Sequence, residues 1–113
     1  MKSSDIELLD IDPQSLLVAF KGESIRVSDI EEVADFFRKA VLNRRVNIVL
    51  DLQAVKTVDI TFFQLILAAK KSLAHQGLDL QILPLPPQHP VRVSAILNGL
   101  PSFADEPQKD EKL

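Results

Sequence analysis

The sequence predicts an α/β fold. We expect one domain with a mixed, mostly parallel sheet of four to five strands and three or more helices packed against it, in the order β-β-α-β-α-β-α. Three observations carry this. Val46 to Leu52, VNIVLDL, is almost continuously apolar, as a strand covered on at least one face should be. It is followed at once by a helical pattern, and strands alternate with helices along the chain, which is the mark of parallel crossovers. A chain of 113 residues with 46% hydrophobic content can build a single core, since a domain near this size hides roughly two thirds of its unfolded surface.

Ile6 to Ile11 is apolar with acidic residues interleaved and reads as an edge strand. Asp12-Pro13 marks a turn. Ser15 to Phe20, SLLVAF, is a second strand, close enough to the first for an antiparallel hairpin. Ser28 and Glu31 match a capping box and place the first helix start at Ser28. Ile30, Val33, Phe37 and Val41 then recur at helical spacing, and Asn43-Arg44-Arg45 brings cations to the negative end of that helix.

After the Val46 strand comes the loop Gln53 to Val58. A second helix follows, with Phe62, Leu65, Ile66, Ala69 and Leu73 on one face and Gly77 as a left-handed stop. Phe62 and Phe63 are neighbours, and helical neighbours diverge by about 100°, so one of the two is expected to be exposed. Leu78 to Leu83 is a further strand. Pro84-Leu85-Pro86-Pro87 is a loop, and Pro90 fits the first turn of a third helix reaching Leu97. A short last strand through Phe103 is expected. The domain is read as residues 1–104, and residues 105–113 as a polar, disordered tail.

Composition narrows the function. Net charge is −3, with no basic stripe, which argues against a nucleic-acid partner. Cysteine is absent and there are two histidines, so neither thiolate chemistry nor a structural zinc site is expected. The amino-terminal MKSSDIELLD has no apolar signal core. Charges break every apolar run before about 18 residues, so membrane insertion is not expected. The default is a cytoplasmic domain. Glycine stands only at 22, 77 and 99, which excludes a phosphate-binding glycine loop.

Attention therefore falls on Thr57-Val58-Asp59-Ile60-Thr61-Phe62, where a strand's carboxyl end meets a helix amino end. In open α/β sheets that is where ligands bind. Asp51 and Asp59 flank the loop, but no other catalytic partner is visible, and capping accounts for Asp59 and Thr61 better than a metal or phosphorylation role does. His75 suits a helix end, and His89 sits in a proline-rich loop with no evident partner. Lys70-Lys71 reads as a solvated face.

The stretch IVLDLQAVKTVDITFFQLILAAKKSLAHQGLDLQIL resembles the STAS domain of bacterial anti-sigma factor antagonists. Asp51-Leu52, Val58-Asp59, Gln64-Leu65 and the Gly77 stop match the family pattern. Gly22-Glu23 resembles its Gly-Glu-Leu-Asp loop, and the resemblance runs from about Leu16 to Leu100. It implies a non-catalytic module without cofactor or metal that docks on a protein partner. That partner would be an anti-sigma factor or kinase, another signalling assembly, or the ATPase of a lipid-transport ABC complex. We expect the contact at Gly22, Glu23, Ile25, Val58, Asp59, Ile60, Thr61, Phe62 and Phe63.

In such proteins the residue after the conserved Asp is a phosphorylatable Ser or Thr. Here Ile60 holds that place, Thr61 is one position late, Phe62 replaces a glycine, and Ile25 replaces an acidic residue. We read the junction as a constitutive apolar contact first, and as a phosphorylation switch at Thr61 second. A small-molecule or nucleotide site at the helix amino end is a third reading.

Overall fold

The computed structural model describes residues 5–100 and 103, the side chains of residues 40–44 excepted. Strand β1 (Ile6–Asp12) and strand β2 (Ser15–Phe20) form an antiparallel hairpin around Pro13 and Gln14. The Gln14 N–H donates to Asp12 Oδ1 at 2.7 Å, closing an Asx turn. After a two-residue strand β3 (Ser24–Ile25) and a 3₁₀ turn (Val27–Asp29) comes helix α1 (Ile30–Arg44). Strand β4 (Asn47–Asp51) is followed by a second two-residue strand, β5 (Thr57–Val58), and by helix α2 (Ile60–His75). Strand β6 (Leu80–Ile82) and helix α3 (Pro90–Leu97) complete the order.

The main sheet runs β1-β2-β4-β6, antiparallel at the first pair and parallel at the other two. The predicted mixed, mostly parallel sheet is therefore present with four strands. Since β2, β4 and β6 are laid down in one direction, two crossovers of the same hand place α1 and α2 on the same sheet face. Leu16, Val18 and Phe20 of β2 and Ile48 and Leu50 of β4 point into that covered face. They join Val33, Phe37, Ile66, Ala69 and Leu73 from the helices in one core. Leu17 and Val49, on the alternate parity, face the other side and are half-buried.

Several expectations are corrected. The first helix does not begin with a Ser28–Glu31 capping box. Asp29 reaches back instead, and its Oδ2 accepts the Arg26 N–H at 2.8 Å, which tightens residues 27–29 into a 3₁₀ turn ahead of α1. Ser28 is exposed. Helix α1 is terminated by Arg45 in the left-handed region, φ 51°, a place more often taken by glycine. The strand expected through Phe103 is not seen at that residue, which is a buried turn position. The rest of that segment and the tail lie outside the described residues.

Phe62 and Phe63 are both buried. Two elements meet the helix start from different sides. Phe20 of β2 packs edge-on against Phe62, ring centroids 5.7 Å apart, and Phe103 packs edge-on against Phe63 at 4.8 Å. A 100° divergence exposes one neighbour only when a helix has a single covered face.

Candidate functional site at the start of the second helix

The sequence writes the upstream loop and the pre-α2 loop more than thirty residues apart. The fold joins them. β3 and β5 pair in parallel, Ser24 with Thr57 and Ile25 with Val58. The Lys56 and Thr57 N–H groups donate to the Glu23 carbonyl at 2.7 and 3.0 Å, and the Asp59 N–H donates to the Ile25 carbonyl at 2.8 Å. Side chains repeat the connection: the Thr57 hydroxyl donates to Ser24 Oγ at 2.8 Å, and Lys56 Nζ lies 3.5 Å from Glu23 Oε2. That exposed ion pair adds little stability. The backbone bonds are what set the register of the two segments.

Asp59 is the N-cap of α2. Its backbone is extended, φ −77° and ψ 149°, and its Oδ1 accepts from the Thr61 N–H at 3.0 Å. The Thr61 hydroxyl donates to the same oxygen at 2.6 Å. The hydroxyl bond first, and the backbone bond second, hold the Asp59 carboxyl below its ordinary value of 3.8, against a smaller opposing effect of desolvation. This fills one orphaned N–H of the helix start and leaves a hydroxyl and a carboxylate side by side at its positive end.

The predicted contact residues divide by depth. Ile60 is exposed at 48%, and Glu23 is exposed. Gly22, Val58, Asp59 and Thr61 are half-buried. Ile25, Phe62 and Phe63 lie in the core at 1% exposure or less and support the surface from beneath. Gly22 is not reserved for glycine by space, because an added Cβ would meet Asp5 at an ordinary 3.5 Å. One residue went unnoticed in the sequence. Val27, in the 3₁₀ turn that packs against α2, is 62% exposed. Nothing distinguished it there from an ordinary apolar position near a helix start.

The remaining titratable residues have structural partners. Asp51 Oδ1 accepts the Gln53 N–H at 3.0 Å, an Asx turn at the end of β4. His89 is corrected from a loop residue without a partner to the N-cap of α3. Its Nδ1 accepts from the Val91 N–H at 3.1 Å and its Nε2 lies 3.0 Å from the Gln53 carbonyl. These two bonds assign the neutral tautomer with the proton on Nε2. Lys70 also departs from a plain solvated face, since Nζ donates to the Leu80 carbonyl at 2.9 Å and meets Asp79 at 3.3 Å.

Among the described residues no three His, Cys, Asp or Glu side chains gather as a metal site, and no helix is long and apolar enough to cross a membrane. A groove of about 420 Å³ lies between α1 and α2, walled by Ala34, Phe37, Leu65 and Ala68 and rimmed by Arg38 and His75. It follows the carboxyl-terminal part of α2 and does not include the Asp59–Thr61 cap.

No protein-family model and no curated protein matches the chain. Solved structures do. The anti-sigma factor antagonist SpoIIAA in its unphosphorylated form superposes with TM-score 0.73 at 17% identity, over 94% of this chain and 90% of that one. The Bacillus cell fate determinant SpoIIAA in the phosphorylated form gives 0.65 at 16% identity, covering 94% of both chains. The STAS domain of an anti-sigma factor antagonist from Rhodobacter sphaeroides gives 0.52 at 18% identity, over 68% of this chain and 82% of that one. The chain has the STAS fold.

Proposed function

We propose that this protein is a non-catalytic interaction module that docks a protein partner through the start of α2 and the β3 segment beside it. The observation that carries the reading is the depth profile of the junction. The parallel β3–β5 pair fixes two distant segments into one platform, and the platform presents Ile60 to solvent while Ile25, Phe62 and Phe63 lie locked beneath it. A large apolar side chain exposed at the first position of a helix, together with the exposed Val27 in the turn that packs against that helix, makes a small contact patch. The shared fold with anti-sigma factor antagonists supports a partner among anti-sigma factors or related signalling assemblies. An ATPase subunit of an ABC complex fits the same packing surface.

The experiment is affinity purification of the tagged protein with its partner. Ile60→Asp should remove the partner, and the melting temperature should stay within a few degrees, because an exposed position shifts stability by only about 0.5 kcal/mol. Retention of the partner by Ile60→Asp would place the docking surface elsewhere. Phe62→Asp is the contrasting control and should abolish folding, since it buries an unpaired charge.

A second reading is favoured by one observation. The Thr61 hydroxyl is half-buried at the amino end of α2, and SpoIIAA is known in both phosphorylated and unphosphorylated forms. A phosphate on Thr61 gains the free N–H groups of the helix start. It also brings about −1.5 to −2 charges beside an Asp59 carboxylate that is already ionised, and it breaks the 2.6 Å hydroxyl bond. The two effects oppose each other, so a constitutive contact ranks first. Incubation with the cognate kinase should leave the mass unchanged. A single added phosphate that Thr61→Ala prevents would reverse the ranking.

A further inference from the structure

Strand β1 is an edge whose only strand partner among the described residues is β2. In an antiparallel pair, residues alternate between those that exchange backbone bonds with the partner strand and those that do not. The Lys21 N–H donates to the Asp5 carbonyl at 2.6 Å, which sets the phase. In the register Glu7–Ala19 and Leu9–Leu17, residues 7 and 9 bond to β2, while Ile6 and Leu8 turn their N–H and C=O groups outward. The register shifts between Asp10 and Asp12, and such a bulge bends an edge. The straight part of this edge is therefore residues 6–10, with Leu8 at its middle.

Apolar side chains stand open on both faces of that straight part. Leu8 is in register with the buried Val18, on the face that α1 and α2 cover, yet it is 42% exposed, so the helices leave the rim of the sheet open. Leu9, on the other face, is 51% exposed. An open edge with exposed leucines is a template for another strand. Charge does not choose that strand. Glu7 is met by Lys21 at 3.3 Å, Asp12 Oδ1 accepts the Gln14 N–H at 2.7 Å, and Asp5 and Asp10 have partners as well. The choice lies in the order of residues. Asp5-Ile6-Glu7-Leu8-Leu9-Asp10-Ile11-Asp12 alternates acidic and apolar residues in a pattern that reads the same from either end.

We infer that the β1 edge receives β1 of a second copy of this chain, antiparallel and related by a two-fold axis through Leu8. Residues directly opposite in an antiparallel pair share a face, whereas neighbours in one strand point to opposite faces. The register that would match acid to acid sets Leu8 against Leu9, and those two point to opposite faces, so it is forbidden. The axis through Leu8 moves the copy by one residue and changes what meets. Leu8 then faces Leu8 of the second copy, and the two exchange their outward N–H and C=O groups. Glu7 faces Leu9, Asp10 faces Ile6, and no carboxylate stands directly opposite another. On the face away from the helices, the two Leu9 side chains come within diagonal reach beside the stems of the two Glu7 residues, each of which keeps its Lys21. The contact is the same patch on both copies, as a two-fold requires, and the two four-stranded sheets run on as one. A contact of five residues a side falls short of the roughly 1,200 Å² at which stable interfaces begin, so the dimer is reversible.

The test is sedimentation equilibrium of the full chain up to about 1 mM, a range that covers weak interfaces, with amide exchange and ¹⁵N shifts followed over the same concentrations. We expect a monomer–dimer equilibrium, shift changes confined to β1 and its neighbours, and amide exchange at Leu8 that slows as the dimer forms. Salt should tighten the dimer, because two chains of net charge −3 repel through solvent. Leu8→Lys and Leu8→Glu each set two like charges against one another at the axis, and each alone should weaken the dimer roughly tenfold or more. Mixed in equal amounts, the two variants should dimerise again, because the axis places each introduced charge opposite its counter-ion. Leu8 is half-exposed, so both variants are expected to fold, and recovery in the mixture shows directly that they do. Ile60→Asp should dimerise as the unaltered protein does, which separates this surface from the one on α2. A chain that stays monomeric at about 1 mM, a dimer untouched by the Leu8 variants, a mixture that does not recover, a dimer that salt dissolves, or shift changes centred on α2 or α3 would each overturn the inference.

Discussion

One carboxylate oxygen holds the start of α2 together. Asp59 Oδ1 accepts both the backbone N–H and the hydroxyl of Thr61, so the aspartate is a cap and the threonine is its second ligand. The sign of the resulting pH dependence follows. The folded carboxyl lies below its ordinary value because of the Thr61 hydroxyl and N–H, so the unfolded chain takes up a proton more readily. Asp59 therefore contributes stability that is present above the unfolded value and is lost as pH falls through the folded one. Asp59→Asn keeps an acceptor oxygen in the same place and cannot titrate. Its melting temperature should fall less steeply than that of the unaltered protein between about pH 5 and pH 2, with little difference near neutrality. Parallel curves would show that the Thr61 bonds do not depend on the ionised form.

At the scale of elements, the site depends on two short pieces that sit outside the main sheet: the β3–β5 pair and α3. Helix α3 is fastened at its start by His89, whose ring caps Val91 and reaches the Gln53 carbonyl in the loop between β4 and β5. His89→Ala loses the cap, typically worth about 1 kcal/mol, along with the connection to that loop. The expected result is a stability loss of about 1–2 kcal/mol by denaturant unfolding, and faster amide exchange in residues 90–97. His89→Asn should recover part of the loss because Asn is itself a good cap. Unchanged exchange in α3 would mean that the helix is held by Val91 and Ala95 packing alone.

This device was not legible in the sequence, because a histidine before proline in a proline-rich run looks like loop, and ring capping has no short-range signature. The large elements were legible. β2, β4 and α2 carry long apolar runs or helical periods, and their boundaries fell within a residue or two. β3 and β5 have two residues each, too few to show a period. Their pairing, and with it the burial of Ile25, emerges only when the sheet brings the two loops together. The start of α1 misled for a related reason. Ser28 and Glu31 have the spacing of a capping box, but the Asp29 carboxylate was equally near and reached the Arg26 N–H instead.

Over the whole molecule, one chain of rings ties the layers together. Phe20 from the sheet meets Phe62, Phe62 lies 6.4 Å from Phe63, and Phe63 meets Phe103 beyond α3. The chain passes directly beneath the Asp59–Thr61 cap, so the docking surface we propose is the outside of the same helical turn that anchors the core. That arrangement predicts a steep contrast between neighbouring positions. Phe62→Ala should cost about 3–5 kcal/mol, as buried aromatic truncations do, out of a total stability of about 5–15 kcal/mol. Ile60→Ala, two residues away on the exposed side, should cost about 0.5 kcal/mol or less. If the rings join sheet, α2 and the segment after α3 into one cooperative unit, Phe62→Ala should move the single denaturant midpoint without changing its slope. Amide exchange should then accelerate in β2, α2 and α3 together. A second transition, or acceleration confined to α2, would instead show that the segment around Phe103 docks on a core that stands without it.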